Sequence, residues 1–457
     1  MSEKFDALII GAGLSGLSAG ISLQVSGYDA LIVEKHTLPG GLNSFYKRGG
    51  YLFSSGLHAM TGYQPGKQDA HLSLASKFLE IPLEDFHLAG PRTGSLINTP
   101  YAKIEFGNDL EIMIESLRKA YPLEIDSFLR FIDYGNRNIN ADEHIPLSAR
   151  AKLREFFSEE LAEVLLFPIM FYAGYKPGDI DFYTYWNVFK SLFLDGICVP
   201  AGGMREMLKV LGKKFKDSGG EIRYGKGVER IVIQDVRASG VLMEDGVFIE
   251  ADQIFSCAGL EETEALIHKE KNRPCREQAN ISVFETVFIT EKPVRELGYP
   301  YAISFNALTD SLEYGLFGLA NTDSFLIACM DNYNVDPVSD YGMLKVCSIA
   351  DYRSWKGVES ENYAQKKEEL ATIMKSKAER IIPGVSAAIQ YTTTFSPLTI
   401  ERYTGHFEGS VYGAPHFSND GTVNGAENVF IVGNDQGSVG ISGALLSGVF
   451  MTVKHTL

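Results

Sequence analysis

FDALIIGAGLSGLSAGISLQVSGYDALIVEK, residues 5–35, is the stretch of this chain that decides its fold. The apolar run 7–10 predicts a strand, and the glycines that follow it lead into a helical pattern of apolar residues. A second apolar run, 30–33, predicts another strand, which ends at the acidic residue Glu34. Strand, glycine turn, helix, strand and acid in this order predict a unit that binds a dinucleotide.

The glycines of this unit have separate roles. Gly11 permits a tight turn, Gly13 lets the backbone approach a pyrophosphate, and Gly16 lets the helix pack closely on the strand. The helix N-terminus offers free N–H groups to the phosphates. Glu34 can accept hydrogen bonds from a ribose diol and would repel a 2′-phosphate, which disfavours NADP. The alternative, a glycine turn that binds nothing, does not explain the full context, and the motif leaves FAD and NAD open.

A second glycine unit lies in ENVFIVGNDQGSVGISGALLSGVF, residues 427–450. An apolar strand enters a loop with Gly433, Asp435 and Gly440, and a helix of small residues follows. Small residues allow a flat ligand to approach, the helix N-terminus can stabilise negative charge, and Asp435 can bind hydroxyl groups. By itself the loop could equally be a packing turn. Together with the first unit it favours a ligand site.

Composition excludes several classes of function. The 457 residues suggest two or three domains, and a hydrophobic fraction of 45% provides an ample core. The net charge of −16 opposes nucleic-acid binding. Five cysteines without a C-x-x-C pair indicate a reduced, cytoplasmic chain. We expect no signal peptide, no membrane-spanning helix and, from the histidine spacing, no metal site.

Several other segments have recognisable patterns. The aromatic stretch 42–63 predicts a hairpin that turns at Gly49-Gly50, and 362–382 predicts one amphipathic helix. Segment 148–173 is predicted to be helical, and 387–417 to be extended with a break at Pro397.

The region 160–197 is the most aromatic part of the chain. Core packing is the safer interpretation for any single residue there. The alternatives are the wall of an apolar substrate tunnel and a mouth that makes peripheral contact with a membrane.

Motifs along the whole chain resemble those of the FAD-dependent carotenoid desaturase and isomerase family, which includes phytoene desaturases, carotenoid isomerases and retinol saturase. The motifs are GAGLSGLSAG (11–20), PGG (39–41), GYLFSSG (50–56), VPAGGMREML (199–208), GVERI (227–231), SPLTIERY (396–403) and GNDQGSVGISGALLSG (433–448). GLH at 56–58 and GND at 433–435 are more similar to retinol saturase and its bacterial relatives. Leu42 follows Gly40-Gly41 where amine-oxidase-like relatives carry arginine, which argues against that sister class.

The resemblance implies FAD as cofactor and an α/β fold. A discontinuous Rossmann-type FAD-binding domain would comprise 1–70, 196–280 and 425–457, with an α+β substrate domain, 71–195 and 281–424, inserted in it. Val228 would reach the adenine end through its backbone, and the C-terminal loop would reach the ribityl chain and the isoalloxazine ring. The predicted cofactor-binding residues are Gly11, Gly13, Leu14, Ser15, Gly16, Glu34, Lys35, Gly40, Gly41, Leu42, Val228, Gly433, Asp435, Gly440 and Ile441.

The predicted function is that of a flavin-dependent oxidoreductase acting on an apolar polyene or isoprenoid-like substrate by hydride transfer at flavin N5. Desaturation, saturation and cis–trans isomerisation stay open. The alternatives are a flavin oxidase or dehydrogenase of a smaller or carrier-bound secondary metabolite, and a non-catalytic FAD-binding partner.

Strong acid–base residues are expected to be few for a polyene substrate. His58 and Tyr412 are the candidate catalytic residues, with His416 as a weaker one, although each could be purely structural. No other complete G-x-G-x-x-G lies between residues 70 and 420, so oxygen, a quinone or a separate reductase stays open as the electron partner.

Overall fold

The computed structural model describes residues 3–138, 147–173, 179–268, 281–310, 312, 318–336, 339–412, 420–437 and 439–456. Within these ranges the strands are β1 Glu3–Ile10, β2 Ala30–Glu34, β3 Phe45–Arg48, β4 Tyr51–Ser54, β5 Met60–Thr61, β6 Leu88–Ala89, β7 Ser95–Asn98, β8 Lys103–Phe106, β9 Ile197–Pro200, β10 Glu221–Tyr224, β11 Val228–Gln234, β12 Arg237–Met243, β13 Phe248–Ser256, β14 Ser282–Thr290, β15 Ile303–Ala307, β16 Ser324–Cys329, β17 Gly342–Ala350, β18 Ile389–Phe395, β19 Thr422–Val423 and β20 Ala426–Ile431. The α-helices are α1 Leu14–Val25, α2 His71–Leu79, α3 Leu110–Ala120, α4 Ile125–Asn138, α5 Ala149–Phe156, α6 Glu159–Ala173, α7 Phe182–Phe189, α8 Met204–Asp217, α9 Leu260–His268, α10 Tyr352–Lys356, α11 Tyr363–Ile381, α12 Val385–Ala388, α13 Pro397–Thr404 and α14 Gly440–Thr456.

An eight-stranded sheet contains both glycine units. Its strand order is β10-β2-β1-β13-β12-β11, and β20 lies beside β13 with β19 on its outer side. The pairs β10–β2, β2–β1, β1–β13 and β13–β20 are parallel. Both glycine turns therefore follow strands that end at the same edge of the sheet, which is where parallel sheets bind their ligands. This arrangement confirms the predicted Rossmann-type α/β fold.

Two helices join the glycine units. Gly448 of α14 packs so tightly on α1 that a Cβ there would lie 2.5 Å from the backbone oxygen of Ser15. Thr452 Oγ1 donates to Ser22 Oγ at 2.8 Å, one turn further along. Helices α1 and α14, which lie more than 400 positions apart in sequence, therefore pack directly against each other.

The chain also forms a seven-stranded sheet. Its order is β18-β14-β17-β16-β15-β7-β8, so it draws strands from residues 95–106, 282–350 and 389–395. Helices α4 to α7 pack their aromatic side chains with residues of this sheet in one core. The predicted boundaries of the FAD-binding and substrate domains stay a prediction.

The hairpin and the long helix are confirmed: β3 and β4 pair across Gly49-Gly50, and α11 spans Tyr363–Ile381. The helical prediction for 148–173 is confirmed as two helices, because Ser158 Oγ accepts from the amide of Leu161 and starts α6 anew after α5.

The extended prediction for 387–417 is confirmed for β18, Ile389–Phe395, which ends before Pro397, and it is wrong for Pro397–Thr404. Pro397 begins α13, because Ser396 and Thr399 form a capping box and proline suits the first position of a helix.

Most aromatic side chains of 160–197 are buried. Phe167, Tyr185, Phe189 and Phe193 are at most 2% exposed, so these side chains form core and are not available to a membrane. Phe171 and Tyr172 instead border a cavity. Among the described residues, no helix combines the length and hydrophobicity needed to cross a bilayer.

Candidate active site

The first glycine turn has the geometry that its sequence predicts. Gly11 has φ +104°, and a Cβ on Gly16 would lie 2.0 Å from the backbone oxygen of Gly11. Both positions therefore require glycine. A Cβ on Gly13 would meet no atom within 4 Å, so open space lies before the N-terminus of α1. Leu14 and Ser15 follow as the buried first residues of that helix.

Glu34 lies at the end of β2 and is 7% exposed. Its Oε2 accepts from the amide of Ala12 at 2.7 Å, and its Oε1 accepts from the amide of His36 at 2.8 Å. The carboxylate thus ties the glycine turn to the neighbouring strand. Each oxygen keeps a further acceptor position, and binding of a ribose there stays a prediction.

The PGG segment lies directly beside this turn. Gly40 donates its amide to the oxygen of Ala12 at 2.8 Å and forms a parallel bridge with Gly13. Gly40 and Gly41 have φ +118° and +55°, respectively, and a Cβ on Gly41 would lie 3.8 Å from the Cα of Gly13. The backbone of this segment, rather than its side chains, creates the close approach.

The second glycine unit has a similar open end. A Cβ on Gly440, which begins α14, would meet no atom within 4 Å. Gly433 has φ +112° and donates its amide to Ser447 Oγ at 2.8 Å. Asp435 Oδ2 accepts from the amide of Leu260 at 2.6 Å, at the start of α9. A role for Asp435 with ligand hydroxyls stays a prediction.

Val228 and Lys35 make contacts with other parts of the chain. Val228 pairs with Met243 in β11. Lys35 Nζ donates to the oxygen of Thr404 at 2.9 Å, and burial lowers the pKa of this lysine. Their contribution to a cofactor site stays a prediction.

A cavity of about 750 Å³ is lined by segments that follow β2, by the start of α14 and by residues of the seven-stranded sheet. Of the residues predicted from sequence, those that line it are Gly41, Leu42, Gly440, Ile441, His58 and Tyr412. Its apolar wall consists of Phe171, Tyr172, Val188, Val283 and Leu326. The other predicted cofactor residues lie outside this lining. Binding of the cofactor by any of these residues stays a prediction.

The seven-stranded sheet brings buried charges to the cavity that the sequence analysis missed. Glu285 Oε2 is hydrogen-bonded to Nε2 of His58, and Glu285 Oε1 lies 3.8 Å from Nζ of Lys345. The side chains of Glu285 and Lys345 are each 1% exposed, and Lys345 donates to the oxygen of Ser54 at 2.6 Å. The sequence does hold a signal for each residue: Glu285 and Lys345 are the single charged residues of the apolar strands SVFETVFIT and GMLKVCSIA.

This cluster changes the electrostatics of the site. Desolvation raises the pKa of Glu285, but the Lys345 ammonium and His58 outweigh it, so the pKa lies below its usual value. Cys347 is close enough that it, His58 and Glu285 place possible metal-ligand atoms within 4.8 Å of one another. The ammonium of Lys345 opposes a cation at Glu285. The absence of a metal site stays a prediction.

Tyr412 lies on the aromatic side of the cavity. Its ring packs edge-on against that of Tyr172 at a centroid distance of 6.0 Å, and burial raises the pKa of its hydroxyl. His416 lies outside the described residues. A catalytic role for Tyr412 stays a prediction.

The residues present fit a bound dinucleotide. Open space lies in front of the N-termini of α1 and α14, and the backbone of Gly40-Gly41 closes beside the first turn. Two helix N-termini with free amide groups favour the negative charges of a dinucleotide. Gly41-Leu42 and Gly440-Ile441, which are predicted to hold the cofactor, both line the adjoining cavity.

These features define a Rossmann-type dinucleotide-binding flavoprotein with a separate substrate-side sheet. The family model for flavin containing amine oxidoreductase matches residues 14–450, and the chain belongs to that family. The family model does not separate the carotenoid branch from the amine-oxidase-like class, so the argument from Leu42 against that sister class stays a prediction.

Curated relatives agree with the resemblance found in the sequence. The chain is 23% identical over 454 residues to prolycopene isomerase of Daucus carota, with 90% of this chain and 72% of that protein covered. It is 22% identical over 513 residues to all-trans-retinol 13,14-reductase of Danio rerio, with 97% and 84% covered. The prediction of a carotenoid desaturase- and retinol saturase-like flavoprotein is confirmed.

A solved structure shares the fold. An oxidoreductase from Methanosarcina mazei matches with a TM-score of 0.67 at 16% identity, covering 98% of this chain and 99% of that one. Together with the family and the relatives, these findings make the chain an FAD-dependent oxidoreductase, as predicted.

Proposed function

We propose that this FAD-dependent oxidoreductase acts on an apolar polyene or isoprenoid-like substrate by hydride transfer at flavin N5. The observation that carries the proposal is the cavity itself. Phe171, Tyr172, Val188 and Leu326 line the same cavity as the predicted flavin-side segments, and its accessible lining is more apolar than polar. Such a lining favours a ligand with a largely apolar body.

FAD, when bound, accepts or donates a hydride at N5, and the protein supplies binding, orientation and exclusion of water. The glycine turns and Glu34 would hold the dinucleotide along the edge of the eight-stranded sheet. Phe171 and Tyr172 would exclude water from the substrate. His58 is the proposed proton carrier, and Tyr412 a second polar group of the cavity lining.

The names of the relatives support the substrate class without fixing the reaction. One relative is named for isomerisation of prolycopene and the other for reduction of all-trans-retinol. The experiment therefore has to distinguish desaturation, saturation and isomerisation. The electron partner stays open among oxygen, a quinone and a reductase.

The test uses purified protein with FAD bound, mixed anaerobically with prolycopene, phytoene and all-trans-retinol. Bleaching of oxidised flavin indicates desaturation, reoxidation of prereduced flavin indicates saturation, and an altered isomer pattern by chromatography indicates isomerisation. Val188→Thr keeps the size of the side chain but adds a polar group, so it should raise KM for the active polyene, whereas Val188→Ile should not. Turnover of none of the three would contradict the proposal.

One observation favours the alternative of a smaller or carrier-bound metabolite. The buried charges of Glu285 and Lys345 are costly beside a ligand that is hydrocarbon throughout. Bleaching by a polar metabolite, with every polyene inert, would support this second function.

A further inference from the structure

We propose that the substrate carries one hydroxyl or carbonyl oxygen on its apolar body, and that His58 binds this oxygen while Glu285 and Lys345 position the imidazole. The inference rests on the proposed function, because it concerns the same cavity. It narrows the substrate class from hydrocarbon polyenes to oxygenated isoprenoids.

Strand register brings the charges together. Glu285 of β14 lies opposite Cys347 of β17, and Lys345 precedes Cys347 by two residues. Side chains two residues apart on a strand point to the same face, so Lys345, Cys347 and Glu285 share one face of the sheet. Leu326, the partner of Cys347 on β16, also lines the cavity. A buried ion pair is thus set into an otherwise apolar floor.

The hydrogen bonds of His58 leave one ring nitrogen for a ligand. A carboxylate can only accept, so the bond to Glu285 places a proton on Nε2. Among the described residues, Nδ1 makes no hydrogen bond. His58 is 14% exposed and lines the cavity, whereas Glu285 behind it is 1% exposed. The nitrogen that can meet a substrate is therefore Nδ1.

The charges behind His58 determine what it can bind. Lys345 compensates Glu285, so the carboxylate stays ionised and holds the imidazole in one tautomer. Nδ1 then accepts from a hydroxyl, and after protonation it donates to a carbonyl. A ligand without oxygen would cover Nδ1 and leave it without a partner, which costs binding free energy. The apolar residues Phe171, Tyr172 and Val188 of the same cavity receive the rest of the molecule.

The experiment compares two ligands that differ in one oxygen. Farnesol and the hydrocarbon with the same triene skeleton but no hydroxyl are bound to the FAD-loaded protein by anaerobic equilibrium dialysis, in which at most one equivalent can react. We expect farnesol to bind about tenfold more tightly than the hydrocarbon. This ratio of Kd values should fall close to one in His58→Leu and decrease in Glu285→Gln.

The control variant is Ser191→Ala. Ser191 also lines the cavity, but its hydroxyl already donates to the oxygen of Val188 at 3.1 Å, so the ratio should not change. A variant with a loosened structure would bind both ligands more weakly and would leave the ratio of their Kd values unchanged. Flavin content and thermal midpoint of each variant show that it is folded, and Glu285→Gln serves if His58→Leu loses FAD.

The outcomes separate this inference from the proposed function. Equal binding of farnesol and the hydrocarbon, or an unchanged ratio in both His58→Leu and Glu285→Gln, overturns the inference and leaves an apolar substrate intact. If the FAD-loaded protein binds neither farnesol nor the hydrocarbon, both this inference and the proposed function are contradicted. A high ratio that only the His58 and Glu285 variants reduce establishes the oxygen site.

Discussion

The two sheets contribute to the active site with different parts of the chain. The eight-stranded sheet presents backbone: glycine turns, helix N-termini and a carboxylate, Glu34, that is itself bonded to backbone amides. The seven-stranded sheet presents side chains: an apolar floor interrupted by the Glu285–Lys345 ion pair, to which His58 of the loop between β4 and β5 is hydrogen-bonded. The first region depends on glycines, which have no side chain, whereas the second depends on particular charged and apolar side chains. Their sensitivity to substitution should differ accordingly.

The largest expected effect is on the backbone side. In Gly16→Ala the added Cβ would lie 2.0 Å from a backbone oxygen that cannot move aside, so we expect more than about 3 kcal/mol of destabilisation and loss of bound FAD. Flavin content and thermal midpoint measure this. The matched control is Gly212→Ala in α8, where a Cβ meets nothing within 4 Å and the backbone is helical, so stability should rise by about 0.5–1 kcal/mol.

If Gly16→Ala retained full flavin and stability, the distinction between the two regions would fail, since the first turn would then tolerate a side chain.

The next effect is on the side-chain side. Lys345→Met leaves the Glu285 carboxylate buried without its compensating charge, and we expect a loss of about 3–5 kcal/mol in the free energy of unfolding. The double variant Lys345→Met/Glu285→Leu should recover most of it, because both charges are then absent. Urea unfolding of the FAD-loaded proteins provides the comparison.

A double variant as unstable as Lys345→Met would mean that packing, rather than the unpaired charge, causes the loss.

The smallest effect is a dependence on pH. The pKa of Glu285 is lower in the folded chain than its ordinary value of 4.5, so in acid the unfolded chain binds the proton first. The ionised Glu285 carboxylate contributes its full stabilisation at pH values above 4.5. This contribution is lost as the pH falls through the lower pKa that Glu285 has in the folded chain. Unfolding measured below about pH 5 should therefore show a shallower loss of stability in the double variant than in the natural chain. Parallel curves would rule out this contribution.

The sequence predicted the two regions unequally for a physical reason. A dinucleotide turn is local, so Gly11, Gly13, Gly16 and Glu34 revealed it within one short segment. His58 and Glu285 are 227 residues apart, and only strand register brings Glu285 beside Lys345. No local pattern reports such a pair.

The helix starts at Pro397 and after Ser158 have the same origin. Pro397 is compatible with both a strand break and a helix start, and the capping box of Ser396 and Thr399 decided for the helix. Likewise Ser158 could continue a helix or cap the next one. In both cases a side-chain hydrogen bond made the choice between two backbones that the apolar pattern allowed equally.

The packing of α14 on α1 has a consequence for how the protein acquires its cofactor. Gly440 and Ile441 come from a segment that leaves the ribosome long after α1 and β1, and the two helices are joined through Thr452 and Ser22, 430 residues apart. If Gly440 and Ile441 hold the flavin as predicted, a nascent chain that has made only the first glycine turn lacks part of the cofactor site. Complete binding of the cofactor would then require the C-terminal helix and follow synthesis of residues 440–456.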